Sequence, residues 1–204
     1  MVKLAIPRKA VYRLSLYQRS LQRLKANHVS TVSSAALAKA AGVKPTQLRK
    51  DLTYFGQFGT RGLGYDVEAL SKKLVEALGT TRLQPVILVG VGNLGSALLH
   101  YQGFAKEGFE ILAAFDIDAA KKHHSGTSVL PMSRMREYIR AKKIKMAVLS
   151  VPGTVSQEVA NELVAAGIQG IFNFSTIILQ VPDGVVVNNV DLAMELENLS
   201  YFIR

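Results

Sequence analysis

The chain has 204 residues, 49% of them apolar and 20% charged, with a formal net charge of +10 and no cysteine. That length carries one large domain or two small ones, and the missing thiols exclude disulfide scaffolds, zinc–thiolate and iron–sulfur sites and cysteine nucleophiles. No apolar run approaches the ~18–20 residues of a membrane span, and the opening MVKLAIPRKAVYR lacks the pattern of a signal peptide, so a soluble cytoplasmic protein is expected.

The charge is unevenly placed. Residues 1–80 carry 14 Lys/Arg against 4 Asp/Glu, whereas residues 81–204 carry 11 of each. A basic block joined to a neutral one points to two modules with different partners. In the first, Val11, Leu14, Tyr17, Leu21 and Leu24 recur at helical spacing after Pro7. Ser33 or Ser34 can cap a short helix over Ala35–Ala41 with Gly42 as its stop, and Pro45 opens a third helix running to about Phe55. Two helices joined by a short glycine-containing turn have the form of a helix-turn-helix. On the third helix Leu48, Leu52 and Phe55 share the inward face. Thr46, Gln47, Lys50 and Tyr54 point away from it, with Arg49 and Thr53 at its flanks, as side chains able to meet phosphates and base edges in a major groove.

The segment Phe55–Tyr65 then places four glycines in nine residues, with Arg61 beside Gly62. Such a cluster predicts a tight β-hairpin, the wing of a winged helix, whose arginine can reach a minor groove. A helix bearing Val67, Leu70, Leu74 and Leu78 closes the module, and Leu78–Gln84 reads as a linker.

The second module opens on the continuous apolar run Pro85–Val89, as in a parallel strand buried on both faces. Gly90-Val91-Gly92-Asn93-Leu94-Gly95 follows, then the helix-like Ser96–Leu99, then a second apolar strand, Ile111–Phe115, ending at Asp116, 21 residues beyond Gly95. In that context the glycines predict a dinucleotide site. Gly90 makes the turn, Gly92 admits a pyrophosphate, and Gly95 packs helix on strand; Asp116 accepts from a ribose 2′-hydroxyl. A carboxylate there repels a 2′-phosphate and favours NAD(H); Lys121 and Lys122 stand somewhat far along for a phosphate clamp and leave that question open. The remaining alternative is a nucleotide-free or CoA-type Rossmann domain.

Further strand-like runs are Met146–Val151, Ile168–Phe174 and Val185–Val190, with a helix near Ser156–Ala166. Val151-Pro152 and Phe174-Ser175 end two of them, at the edge where doubly wound sheets bind ligands. In Asp191–Arg204, Leu192, Leu196, Leu199 and Ile203 form a stripe beside Met194 and Phe202, suited to docking on a core or to burial between subunits. The fold class is therefore α/β, with a winged-helix domain over residues 1–80, a Rossmann domain over 81–190 and a dimerisation helix over 191–204.

A catalytic set is hard to find. His28 lies in the basic module, His100 sits on the first Rossmann helix, and His123 and His124 occupy a polar turn without further metal ligands nearby. Tyr138 and Lys142 match Tyr-x-x-x-Lys, but only 43 residues after Gly95 and in a charged segment, too early for a short-chain dehydrogenase. A cofactor site without chemistry, joined to a basic winged helix, points to a sensor rather than an enzyme. The competing readings are a small NAD-dependent oxidoreductase and a CoA- or nucleotide-binding adaptor.

Several stretches are more specific than the glycine loop alone. These are Arg13-Leu14-Ser15-Leu16-Tyr17, Arg49-Lys50-Asp51-Leu52-Thr53-Tyr54-Phe55-Gly56, Gly62-Leu63-Gly64-Tyr65-Asp66-Val67, Phe172-Asn173-Phe174 and Val190-Asp191-Leu192-Ala193. With the glycine loop they resemble the redox-sensing transcriptional repressors of the Rex family along essentially the whole chain. The resemblance implies a homodimer that binds operator DNA when NADH is scarce and is released by NADH. It implies a C-terminal helix swapped between the partner's two domains, and a cofactor-side and switch role for Tyr101, with Arg13 and Asp191 exchanging contacts between states. Two departures stand out: Ser15 replaces a usual proline, and Ser175-Thr176 replace Ala-Pro or Thr-Pro beside the cofactor site.

Overall fold

The computed structural model describes residues 6–59, 63–119 and 126–203, and the chain divides into two compact units between Arg82 and Leu83. The first contains α1 (Arg8–Ala26), β1 (Thr31–Val32), α2 (Ser34–Ala40), α3 (Pro45–Thr53), β2 (Tyr65–Asp66) and α4 (Val67–Leu78). On α1 the buried stripe is Ala10, Leu14, Tyr17 and Leu21, while Val11, expected on that face, is 40% exposed. The stripe advances by four, three and four residues, so Val11 falls one position round the helix.

Local chemistry explains the boundaries. Ser33 Oγ accepts the Ala36 N–H at 3.1 Å and caps α2, and Pro45 occupies the first position of α3, where a missing N–H costs nothing. Asp66 caps α4 by accepting the Ala69 N–H at 2.7 Å, and Gly79 ends it with φ +72°. Leu48 and Leu52 of α3 join Leu14, Tyr17, Leu21, Leu37, Leu70 and Leu74 in one apolar core. Phe55 lies partly buried at its margin, two residues beyond the end of α3.

The hairpin expected over residues 55–65 is not what the described residues form. Tyr65 and Asp66 pair antiparallel with Val32 and Thr31, so the partner strand comes from the segment between α1 and α2. The glycines mark a close approach rather than a ladder. A Cβ on Gly59 would stand 2.5 Å from the Gly64 carbonyl oxygen, and one on Gly64 would stand 2.5 Å from that of Val32. The ends of the loop therefore meet because both residues lack side chains. Arg61 and Gly62 lie outside the described residues.

The second unit contains β3 (Gln84–Val89), α5 (Asn93–His100), α6 (Gly103–Lys106), β4 (Phe109–Asp116), β5 (Val129–Pro131), α7 (Met135–Lys142), β6 (Met146–Leu149), α8 (Gly153–Ala166), β7 (Gly170–Asn173), β8 (Val186–Asn189) and α9 (Leu192–Phe202). Its strands form one parallel sheet in the order β5-β4-β3-β6-β7-β8, the doubly wound arrangement. Both faces are covered near β3, which explains the uninterrupted apolar run. Ile87 and Val89 pack with Ile139 and Leu163 on one face, and Val86 and Leu88 pack with Leu98 and Leu99 on the other.

Helix α7 carries no obvious signal, because its charged residues outnumber the two that decide its place, Met135 and Ile139, both buried. In α9, by contrast, no residue is buried: Leu192, Met194, Leu196, Leu199 and Phe202, with Ile203 just beyond its end, are all between 58% and 76% exposed. Docking on the chain's own core, one of the two expectations for this stripe, does not occur. Among the described residues no helix is long and apolar enough to cross a membrane.

Candidate nucleotide crevice and nucleic-acid face

Strand β3 pairs with β4 on one side and β6 on the other, and the chain winds away in opposite directions from this pair, which opens a crevice at their carboxyl ends. Val89 lies level with Phe115 and with Leu149, so Gly90, Asp116 and Ser150 stand at one level on the carboxyl edge of the sheet. Gly90 has φ +92°, and a Cβ there would stand 2.5 Å from the Ser150 carbonyl oxygen. Its own carbonyl accepts the Ser150 hydroxyl at 2.7 Å, and its N–H donates to the Phe115 carbonyl at 2.8 Å. A Cβ on Gly95 would come within 2.0 Å of the Gly90 carbonyl oxygen, which is the close helix–strand packing expected of it.

Gly92 is different. A Cβ there would meet nothing within 4 Å, and no side chain caps α5, which begins at the next residue, Asn93, followed by Leu94. Open space beside backbone amides at a helix start fits a phosphate. Asp116, the last residue of β4, is 7% exposed; its Oδ2 accepts the Val91 N–H at 2.6 Å and its Oδ1 accepts the Asp118 N–H at 2.9 Å. The carboxylate thus anchors the glycine loop, a task that the sequence pattern did not disclose. Ile117, just beyond it, is 94% exposed, an apolar surface at the strand end suited to the flat face of an adenine. Its signal in the sequence is an apolar residue directly after the acid.

Across the crevice, Val151 and Pro152 follow β6, and Pro152 is the N-cap of α8. Phe174 follows β7; its N–H donates to the Leu149 carbonyl at 2.9 Å and its ring meets Phe172 edge-on at 4.7 Å. Buried Asn173 ties this segment together, donating to the Ile177 carbonyl at 3.0 Å and to Asn189 Oδ1 at 2.9 Å. Its Oδ1 accepts the Ser175 N–H at 3.0 Å and the Ser175 hydroxyl at 2.7 Å, so the serine departure has a hydrogen-bonding role. An apolar hollow of about 310 Å³, lined by Val86, Phe109, Met146, Ile171, Phe172 and Val186, lies by the starts of the strands.

In the first unit, Thr46, Arg49 and Lys50 are exposed on α3, while Gln47 and Tyr54 are half-buried. Arg49 reaches the Ser34 hydroxyl at 3.1 Å. Gln47, expected to point away from the core, donates from Nε2 to Asp51 Oδ1 at 2.8 Å. Asp51 is wholly buried and was not among the expected site residues. Arg13 grips it with both Nε and Nη2, at 2.5 and 2.7 Å, and the Tyr17 hydroxyl donates to Oδ2 at 2.7 Å. Burial works against ionisation of Asp51, but hydrogen bonds from Arg13, Tyr17 and Gln47 prevail and hold its carboxyl below the ordinary range. Burial, then the bond to Asp51, pushes the Tyr17 hydroxyl well above its usual value. The signal for this cluster is a lone acid amid the basic residues of α3.

Of the other expected switch residues, Tyr101 is 59% exposed, with its ring edge-on to Phe104 at 5.1 Å. Gly103 makes room for it, since a Cβ there would strike the ring at 2.3 Å. Asp191 caps α9, its Oδ1 accepting the N–H groups of Ala193 at 2.9 Å and Met194 at 3.2 Å. Tyr138 packs edge-on against Phe115 at 5.7 Å, which gives it a place in the core. His100 lies with Nδ1 2.7 Å from the Ser96 carbonyl oxygen. Lys121, Lys122, His123 and His124 lie outside the described residues. Among the described residues no cluster of three or more His, Cys, Asp or Glu could hold a metal ion.

Residues 5–53 match a family model described as a putative DNA-binding protein N-terminus, and residues 81–177 match one described as a CoA binding domain. A redox-sensing transcriptional repressor Rex from Carboxydothermus hydrogenoformans is 44% identical over 98% of this chain and 97% of its own. That from Streptomyces coelicolor is 44% identical over 96% of this chain and 77% of its own. The chain belongs to the Rex family. Among solved structures, the Rex-family repressor RSP in complex with NAD+ and operator DNA is 37% identical, covering 97% of this chain and 92% of its own with a TM-score of 0.90. RSP in complex with NADH is 35% identical, covering 98% and 94% with a TM-score of 0.86. These Rex relatives are named as transcriptional repressors rather than enzymes.

Proposed function

We propose that this chain is a cytoplasmic, homodimeric transcriptional repressor that reads the NADH/NAD+ ratio, binding operator DNA when NADH is low and leaving it when NADH binds. The observation that carries the reading is the likeness, over nearly the whole chain, to RSP held with NAD+ and operator DNA on one hand and with NADH on the other. That pair also favours NAD(H) over the CoA named by the family model, as does the buried Asp116 carboxylate at the end of β4.

Val91, Gly92, Asn93 and Leu94 would hold the pyrophosphate of the dinucleotide, Asp116 its adenine ribose, and Val151, Pro152, Phe174 and Tyr101 its nicotinamide end. Thr46, Gln47, Arg49, Lys50 and Tyr54 meet the major groove, and Arg61 with Gly62 the minor groove. Helix α9 is exchanged between two copies, and Arg13, Tyr101 and Asp191 change partners between the two states. Oxidised nicotinamide is a cation and the reduced ring is neutral, so a partly buried apolar site prefers NADH. That difference in affinity is what shifts the DNA-binding equilibrium, and coupling of ~1–3 kcal/mol corresponds to roughly 5–150-fold in DNA affinity.

A mobility shift on operator-like DNA, titrated with NADH at fixed NAD+, tests this. The expected result is a complex that dissolves as NADH rises. Absence of binding, or indifference to NADH, refutes it.

A further inference from the structure

We propose that Asp51 is a positioning residue for base readout: it fixes the Gln47 amide so that Gln47 meets one base edge in a single orientation. This rests on α3 being the helix that reads operator DNA. A glutamine free at its tip can exchange its donor and acceptor ends by rotating its terminal bond, and so accept either of two base patterns. An ionised carboxylate only accepts, so Asp51 removes the choice, and Gln47 Nε2 must face it, as it does at 2.8 Å. The Gln47 carbonyl and its second N–H are left to meet a base, a donor–acceptor pair that matches N7 and N6 of adenine in the major groove. Gln47 stands at the third position of α3, in the turn that enters the groove first in helix-turn-helix proteins.

Packing does not account for Asp51. It is wholly buried on the same helix as the core residues Leu48 and Leu52, yet it holds a charge satisfied by donors from three side chains. Arg13 and Gln47 share the same acceptor, Oδ1. The two-pronged grip of Arg13 fixes the plane of the carboxylate and thereby the direction in which Gln47 is held. Asp51 touches no DNA; it acts through Gln47.

The test lets the full-length protein, without NADH, select its binding sequence from random duplexes. Affinities of wild type, Gln47→Met, Asp51→Asn and the double variant are then measured for that duplex and for each single base-pair change in it. Wild type is expected to prefer one base pair at one position of each half-site by roughly 5- to 150-fold. Gln47→Met flattens the preference at that position alone. Asp51→Asn flattens it at the same position although Gln47 is intact, and the double variant is no flatter than either single one. Arg13→Lys keeps the charge and loses the fork, so it weakens the same preference and decides the matter if Asp51→Asn does not fold.

Equal weakening of all duplexes by Asp51→Asn, or by Arg13→Lys, with the preference intact overturns the proposal. So does a Gln47→Met profile identical to wild type. A wild-type chain that selects no sequence refutes the operator reading itself, a distinct result.

Discussion

Substituting alanine for Gly92 separates the cofactor cradle from the fold. The added Cβ meets nothing within 4 Å, and φ at Gly92 is −75°, a value open to any residue. The change removes backbone freedom from the unfolded chain, worth about 0.4–1 kcal/mol in favour of folding, and loses a modest N-cap preference of similar size. Stability should therefore move by less than about 1 kcal/mol. The methyl group, however, occupies the space reserved for the pyrophosphate, and overfilling a packed contact costs about 1–3 kcal/mol. NADH affinity should fall roughly 5- to 150-fold while the melting temperature scarcely changes. Gly95→Ala is the contrasting control: its Cβ would lie 2.0 Å from the Gly90 carbonyl oxygen, so it should lose the fold and the ligand together. Calorimetric titration with NADH beside thermal melting reads both quantities. A Gly92→Ala protein that binds NADH within twofold of wild type would mean that the pyrophosphate does not cross this loop.

Asp116→Ala should lower NADH affinity and narrow the preference for NAD(H) over NADP(H), with about 1–3 kcal/mol of stability lost because the buried Val91 N–H loses its acceptor; an unchanged dissociation constant removes Asp116 from the site. Lys50→Ala should weaken DNA binding evenly across sequences, reduce the salt slope by about 1 and leave NADH affinity intact, and equal loss of both would place Lys50 in the fold instead. Truncation before Asp191 should give a monomer or an insoluble product in sedimentation, and a well-behaved dimer would contradict exchange of α9. Asp51, held below its ordinary range, contributes stability that is complete above pH ~4 and is lost as pH falls through its folded value. The melting-temperature gap between wild type and Asp51→Asn should therefore close in acid, and a gap constant down to pH ~2 would show that Asp51 is not the titrating group.

Much of this was legible along the chain because its causes are local. Proline at the start of α3, the Ser33 cap of α2 and the Asp66 cap of α4 act through neighbours a few bonds away, so their meaning survives without coordinates. The division of charge at about residue 80 needs only counting. Helix α7 escaped because two buried residues, Met135 and Ile139, decide its place and five exposed ones obscure it. The strand partner of Tyr65 escaped because it lies more than thirty residues back, where no glycine pattern can point.

The sequence by itself determined that a basic helical module precedes a nucleotide fold, and that a redox sensor without a thiol must read a bound cofactor. Only the tertiary structure decided what the charged side chains do. Arg13 and Asp51 are 38 residues apart, and nothing in their spacing joins them; burial does, because a carboxylate removed from water must find donors wherever the fold brings them. The same physics separates Gly92 from Gly95. Both belong to one motif, yet one faces open space and the other a carbonyl oxygen, a distinction that exists only once strand, loop and helix have packed.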